Sequence, residues 1–370
     1  MTLVSIVGDF HSSILPLFYH FSADINKHVI VYDDFRRDVV QAQKLIKGTQ
    51  AFIEKHTLPI TTHAIELNED SYESIEKVID TLLEIQSDPK ELLINATDGL
   101  ANIALLLSHK LLEKGIRFLI YDRFDNSYNI LSKNSMLHVQ IESSIPVLEH
   151  FMLKDVKVLT CQEPTFAEQA ERELNDFFEL YGGDKKEYAA KSAAPLKTIL
   201  DTQTGFLYEF YIYNLLKRLN HDDIRMGVKT SDIYSATSSL HNEFDILIMK
   251  NNRLHMIECK FRDDLKKVDL IYKADSIRQT LDDESKVIIL TNEDVYDFQN
   301  DIVHVTPRFE YQRANAKQIY FRGFPANDIA RFIKEVDLIF GLNTPEIEKV
   351  IAQRDARSKD EREILKSFFG

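Results

Sequence analysis

Asp245, Glu258 and Lys260 stand within one segment, NEFDILIMKNNRLHMIECK, at residues 242–260. Two apolar runs, 244–249 and 254–260, flank Lys250-Asn251-Asn252-Arg253, whose paired asparagines tolerate positive φ and so predict a hairpin turn. A hairpin returns the end of its second strand to the start of its first, which sets Asp245 beside Glu258 although 13 positions separate them. Period-two alternation then places Glu258 and Lys260 on one face and turns Cys259 to the other. Paired carboxylates beside a lysine suit phosphodiester hydrolysis. The carboxylates offer oxygen ligands to a hard divalent ion, which polarises phosphate and lowers the pKa of water. The lysine can stabilise charge that develops in the transition state or orient the attacking water, and the backbone carbonyl of Cys259 is placed to complete the metal ligands Asp245 and Glu258. Glu209, inside the apolar helical run GFLYEFYIYNLL, is a fourth catalytic and metal-binding candidate, because a carboxylate in such surroundings needs a partner.

The plainer alternative makes Glu258–Lys260 a same-face charge pair and Asp245 a polar strand end. The apolar flanks FDILIM and LHMIE weigh against it, since they would bury carboxylates that had no task. Glu243 competes with Asp245 as a ligand but lies two residues nearer the fraying strand end. A serine or cysteine hydrolase is disfavoured: no G-x-S-x-G elbow occurs, and Cys259 faces away from Glu258. His255 shares the Cys259 face, His11 reads as a loop hydrogen-bonder and Lys273 as a surface lysine.

The elements that must position these residues follow from periodicity. In the back half a helix begins near Gly205, followed by the two hairpin strands, a helix around 268–281, a strand at 286–291 and a terminal helix after 325. In the front half, apolar runs at 2–7, 28–32, 92–96 and 116–121 alternate with helical patterns such as 72–86 and 99–114, the signature of a parallel sheet covered on both faces. Ligands bind such sheets beyond the carboxyl ends of the strands. Two polar loops belong there: Gly8, Asp9, Phe10, His11, Ser12 and Ser13 after the first strand, and Asn95, Ala96, Thr97, Asp98 and Gly99 after a later one. Neither has the spacing of a dinucleotide or Walker fingerprint. The organisation expected is a ligand-sensing domain at 1–150, a helical linker at 151–200 and a nuclease domain at 201–370.

The chain has 370 residues, 44% of them hydrophobic and 28% charged, and no apolar run approaches a membrane span, so a cytoplasmic two-domain protein is expected. Its two cysteines lack zinc spacing or a disulfide pattern. The net charge of −14 divides into −8 for residues 1–150, −2 for 151–200 and −4 for 201–370. An acidic front half favours a small ligand over duplex DNA, which speaks against a constitutive repair or restriction nuclease with an N-terminal reading domain. Residues 308–334 interleave Arg308, Arg313, Lys317, Arg322, Arg331 and Lys334 with aromatics, a stretch equally suited to a phosphate backbone or to an ordinary solvated face.

The order Glu209, Asp245, then Glu258-Cys259-Lys260 resembles the PD-(D/E)xK restriction-endonuclease-like superfamily, which implies Mg or Mn as the ion, with Phe244-Asp245 in place of the proline-aspartate pair. More narrowly, NEFDILIMKNNRLHMIECK is similar to the corresponding segment of the CRISPR-associated nucleases that join such a domain to an N-terminal CARF domain. The resemblance implies an α/β chain, Rossmann-like (CARF-type) in front and restriction-endonuclease-like behind. It further implies a homodimer that binds cyclic oligoadenylate, the tetra-adenylate foremost, at the loops 8–13 and 95–99, and that cleaves single-stranded RNA or DNA in antiviral defence. An inert ligand-binding regulator is the alternative, and the intact carboxylate set counts against it, because such a cluster repels itself without a cation.

Overall fold

The computed structural model describes residues 1–8, 13–68, 70–97, 101–163, 168–193, 195–231, 241–261, 281, 284–292, 318–323 and 329–352. The chain divides into two compact units, residues 1–158 with 230–240, and residues 159–229 with 241–370.

In the first unit, strands β1 (Thr2–Ile6), β2 (Lys27–Asp33), β3 (Thr61–Leu67), β4 (Leu92–Asn95), β5 (Arg117–Asp122), β6 (Ser127–Ser132) and β7 (Ser135–Gln140) form a sheet in the order β3-β2-β1-β4-β5-β6-β7. The first five pair in parallel, and β6 and β7 add antiparallel strands at one edge. Helices α1 (Ile14–Phe21), α2 (Arg36–His56), α3 (Tyr72–Ile85), α4 (Ala101–Leu111) and α5 (Val147–Leu153) complete the unit. Alternation along β1 supplies both layers. Leu3 joins Phe18, Leu45 and Phe52 from α1 and α2, whereas Val4 and Ile6 join Ile79 and Leu107 from α3 and α4. Gly48 lets α2 lie on α5, since a Cβ there would stand 2.1 Å from the Leu153 carbonyl oxygen. The strands at 2–7, 28–32, 92–96 and 116–121 thus form as the sequence predicts. The sequence reading missed β3, whose register positions are largely half-exposed and give no apolar run.

The second unit carries a six-stranded sheet in the order β13-β12-β11-β10-β9-β8, from β8 (Val158–Gln162), β9 (Asp223–Ser231), β10 (His241–Lys250), β11 (Arg253–Lys260), β12 (Val287–Thr291) and β13 (Ile319–Gly323). Its helices are α6 (Glu168–Glu179), α7 (Lys185–Lys191), α8 (Lys197–Asp201), α9 (Thr204–Leu216) and α10 (Ile329–Phe340). Helix α9 buries Leu207, Phe210, Tyr211 and Leu215 in one core with Ile246, Ile248, Ile257 and Cys259 of β10 and β11, and with Ile288 and Leu290 of β12. The segment 151–200 is helical over much of its length, but it is not a free-standing connector. Leu174, Phe177, Phe178, Tyr188 and Ile199 enter this same core, because the amphipathic α6 must bury its apolar face. The helix expected at 268–281 and Lys273 lie outside the described residues. Among the described residues no helix is long and apolar enough to cross a membrane.

Candidate active site

Strands β10 and β11 pair antiparallel with Ile246 opposite Ile257 and Lys250 opposite Arg253, so the next step outward sets Asp245 against Glu258. The turn follows the predicted chemistry: Asn251 and Asn252 take φ of 50° and 59°, the left-handed pair of a tight hairpin. Asp245 accepts a hydrogen bond from the Cys259 backbone N–H at 2.7 Å, which locks the carboxylate across the strand end. Both carboxylates are almost wholly removed from solvent, Glu258 at 2% exposure and Asp245 at 8%. Cys259 turns to the α9 core, as alternation requires, and burial pushes its thiol pKa well up, with Asp245 adding to the effect. Both cysteines are free thiols.

The Lys260 ammonium lies among the oxygens of this cluster. It stands 2.6 Å from Glu258 Oε1 and 3.4 Å from Asp245 Oδ2, and it donates to the Cys259 carbonyl at 3.0 Å. Burial opposes the charged lysine, but the Asp245 and Glu258 carboxylates outweigh it and hold its pKa well above the ordinary value. Glu209 reaches the cluster electrostatically from α9. Its pKa is pushed up to about 8, first by burial and then by the charge of Asp245, with Lys260 opposing. Among the described residues no three His, Cys, Asp or Glu side chains converge as an ion site. The set around the ammonium is instead two carboxylates and one peptide carbonyl, all hard oxygen donors, and such a set fits Mg or Mn.

Glu243 remains within β10 but turns to Lys229 at 3.2 Å rather than to the cluster. His255 is buried against Phe340, ring centroids 4.8 Å apart, and accepts the Lys286 N–H at its Nδ1 at 3.2 Å. Of the basic stretch 308–334, Arg322 and Arg331 both pair with Glu335 and Lys334 pairs with Glu348, so its described cations already have carboxylate partners. Arg308, Arg313 and Lys317 lie outside the described residues. The sequence reading passed over Tyr208, Phe261 and Asn292, which border a cavity in this unit. The first two are the chain neighbours of Glu209 and Lys260, and that adjacency was the available signal.

In the first unit, Asn95 ties the two candidate ligand loops together. Its Nδ2 donates to Ser13 Oγ at 3.0 Å, and its Oδ1 accepts the Thr97 N–H at 3.1 Å. Thr97 Oγ1 in turn accepts the Tyr121 N–H at 2.8 Å, and Ala96 N–H donates to the Leu119 carbonyl at 3.0 Å. Asn95 and Ser13 are buried and hydrogen-bonded to each other, and Gly8 is buried at the end of the strand segment. Asp9, Phe10, His11, Ser12, Asp98 and Gly99 lie outside the described residues.

The sequence model of the Card1-like endonuclease domain matches residues 200–306. No curated protein matches the sequence. Among solved structures, protein VC1899 from Vibrio cholerae superposes with a TM-score of 0.71 at 13% identity, covering 92% of this chain and 98% of its own. Can2 from Sulfobacillus thermosulfidooxidans, solved in complex with cyclic tetra-adenylate, gives 0.65 at 16% identity, covering 90% and 98%. A type III CRISPR defence DNA nuclease activated by cyclic oligoadenylate gives 0.56 at 12%, covering 79% of this chain and 45% of its own. At these identities the superpositions establish a shared fold across both units. Residues 200–306 thus match the Card1-like endonuclease domain, and the unit before them has the parallel-sheet, Rossmann-like fold shared with these solved structures.

Proposed function

We propose that the protein is a divalent-metal-dependent endonuclease of single-stranded nucleic acid, RNA or DNA, switched on by a cyclic oligoadenylate bound at the first unit of a homodimer. The observation that carries this reading is the convergence of Asp245, Glu258, the Cys259 carbonyl and the Lys260 ammonium at one strand end inside the Card1-like match. Asp245, Glu258 and the Cys259 carbonyl would hold Mg or Mn, with Glu209 near enough to act through charge. The ion supplies Lewis acidity to the phosphate and a lowered pKa to bound water. Lys260, kept cationic by its two carboxylate neighbours, stabilises negative charge on the phosphate as the bond breaks. The burial of Asp245 and Glu258 strengthens every such interaction relative to water.

The activator reading draws on the superposition with Can2 bound to cyclic tetra-adenylate and on the loops braced by Asn95 at the carboxyl ends of β1 and β4. A ring with two-fold symmetry is naturally held by identical loops of two subunits. Its binding would shift the pair toward the competent arrangement. The test is cleavage of labelled single-stranded RNA, single-stranded DNA and plasmid with Mn²⁺, with and without cyclic tetra-adenylate, beside EDTA and Glu258→Ala controls. Activator-dependent cutting lost in both controls is expected. Constitutive metal-dependent cutting removes the sensor, full activity of Glu258→Ala removes the site assignment, and no cutting under any activator leaves the inert regulator.

A further inference from the structure

The carboxyl ends of the parallel strands in the first unit carry two exposed phenylalanines, one on either side of the candidate ligand loops. Phe35 follows β2 and is 65% exposed, and Phe124 follows β5 and is 74% exposed. With β1 and β4 between them in the sheet, β2 and β5 stand three strand spacings apart, about 14 Å. Phe124 sits in a turn fixed at both ends. Asp122 Oδ1 accepts the N–H groups of Phe124 at 2.9 Å and Asp125 at 3.4 Å. The buried Asn126 accepts from the Tyr121 hydroxyl at 3.0 Å and donates to the Ile141 carbonyl at 3.0 Å. The same strand end is tied to a ligand loop, because the Tyr121 N–H is the donor to Thr97 Oγ1. Phe35 is the N-cap of α2, and its carbonyl accepts the Asp38 and Val39 N–H groups at 2.9 and 3.1 Å. The Arg123 guanidinium lies 5.6 Å from the centre of the Phe124 ring.

Single exposed apolar side chains are ordinary on a protein surface, and position gives these two their meaning. Open parallel sheets bind ligands beyond the carboxyl ends of their strands. A protein or lipid partner calls for a contiguous apolar patch, whereas these rings stand apart with Ser13, Asn95 and Thr97 in the loops between them. An isolated aromatic face is a platform for a flat base, and the guanidinium beside one of them offers a cation to the phosphate that a nucleotide carries. The neighbouring carboxylates have tasks within the protein: Asp122 holds its turn, and Asp34 accepts from Asn68 Nδ2 at 3.1 Å. We propose that Phe35 and Phe124 are stacking platforms for adenine bases of the cyclic oligoadenylate, with Arg123 meeting its phosphate. The backbone at both rings is already fixed, so binding need order little of it. The inference rests on the activator reading and extends it, assigning base recognition to residues outside the two loops.

The test is isothermal titration calorimetry of the full chain with cyclic tetra-adenylate in EDTA. The unaltered protein is compared with Phe35→Leu, Phe124→Leu and Phe124→Tyr, and sedimentation and thermal melts of each are recorded at the same concentration. Each leucine, apolar but without a π-face, is expected to weaken binding on the order of ten-fold, and tyrosine to stay within about two-fold of the unaltered protein. Sedimentation and melting temperature should stay unchanged, because both side chains are exposed. Unaltered affinity in either leucine variant, or tyrosine as weak as leucine, overturns the stacking assignment and leaves the activator reading intact. Weaker binding that accompanies a lost dimer or a lowered melting temperature overturns it too, and makes the ring a subunit or packing contact. If the unaltered protein binds no cyclic tetra-adenylate, the activator reading itself fails and the platforms fall with it.

Discussion

The Lys260 ammonium stands 2.6 Å from the Glu258 carboxylate, and the same nitrogen reaches Asp245 and the Cys259 carbonyl. It therefore occupies the position where three hard oxygens would hold a divalent cation, and it neutralises a carboxylate pair that would otherwise repel. A divalent ion held there would compete with the ammonium for those oxygens.

That competition predicts opposite behaviour with and without metal. In EDTA, Lys260→Met leaves two buried carboxylates without their cation and is expected to lose about 3 kcal/mol of stability. Mn²⁺ should restore much of the loss, and the variant should gain more from the ion than the unaltered protein does. Thermal melts of both proteins in EDTA and in Mn²⁺ check this; equal metal-induced gains would sink it.

Glu209 predicts a pH dependence in metal-free protein. Its folded pKa of about 8 lies above the ordinary carboxylate value of 4.5, so between those limits the folded chain holds a proton that the unfolded chain has lost. Stability contributed by the neutral group is complete below about 4.5 and is lost as pH rises toward 8. Glu209→Gln, which cannot ionise, should melt higher than the unaltered protein at pH 8 in EDTA and approach it at pH 4.5. A constant difference across that range would rule the assignment out.

Gly183 has φ of +80°, and its missing Cβ is the space that the Phe261 ring fills at 2.4 Å. Gly183→Ala combines left-handed strain of about 1–2 kcal/mol with displacement of the residue after Lys260. Both the melting temperature and Mn²⁺-dependent cleavage are expected to fall. Gly182→Ala, with φ of +56° and open space at its Cβ, carries the strain alone and serves as the control. Identical behaviour of the two variants would count against the role given to Phe261.

Asn95 joins Ser13 of one candidate ligand loop to Thr97 of the other from a buried position. Asn95→Ala removes both hydrogen bonds, a cost of about 0.5–1.5 kcal/mol each. More cyclic tetra-adenylate should then be needed for half-maximal cleavage, while metal affinity measured by calorimetry stays unchanged. An unaltered activation curve would remove these loops from the sensor.

Much of the endonuclease core was legible in the residues themselves. The asparagine pair specified the turn, alternation specified the faces of Glu258, Cys259 and Lys260, and together they set Asp245 against Glu258 before any tertiary contact is considered. The first sheet was legible through its buried parallel strands, since a strand covered on both faces must be apolar throughout. The strands β3 and β8 left weaker marks, because partial exposure dilutes the apolar run. The segment 151–200 looked like a connector for the same reason: its charged face dominates the composition, while its core contacts come from scattered positions such as Leu174 and Tyr188.

The sequence by itself determined the hairpin, its register and the chemical types at the strand end, because turn preference and side-chain alternation act over a few residues. Tertiary structure alone decided that burial and the charge of Asp245 raise the Glu209 pKa on another element, and that Asn95 joins Ser13 to Thr97 across two loops. Each of these depends on distances between elements far apart in the chain and on the loss of water around charges and amides, and neither quantity is written in any local pattern.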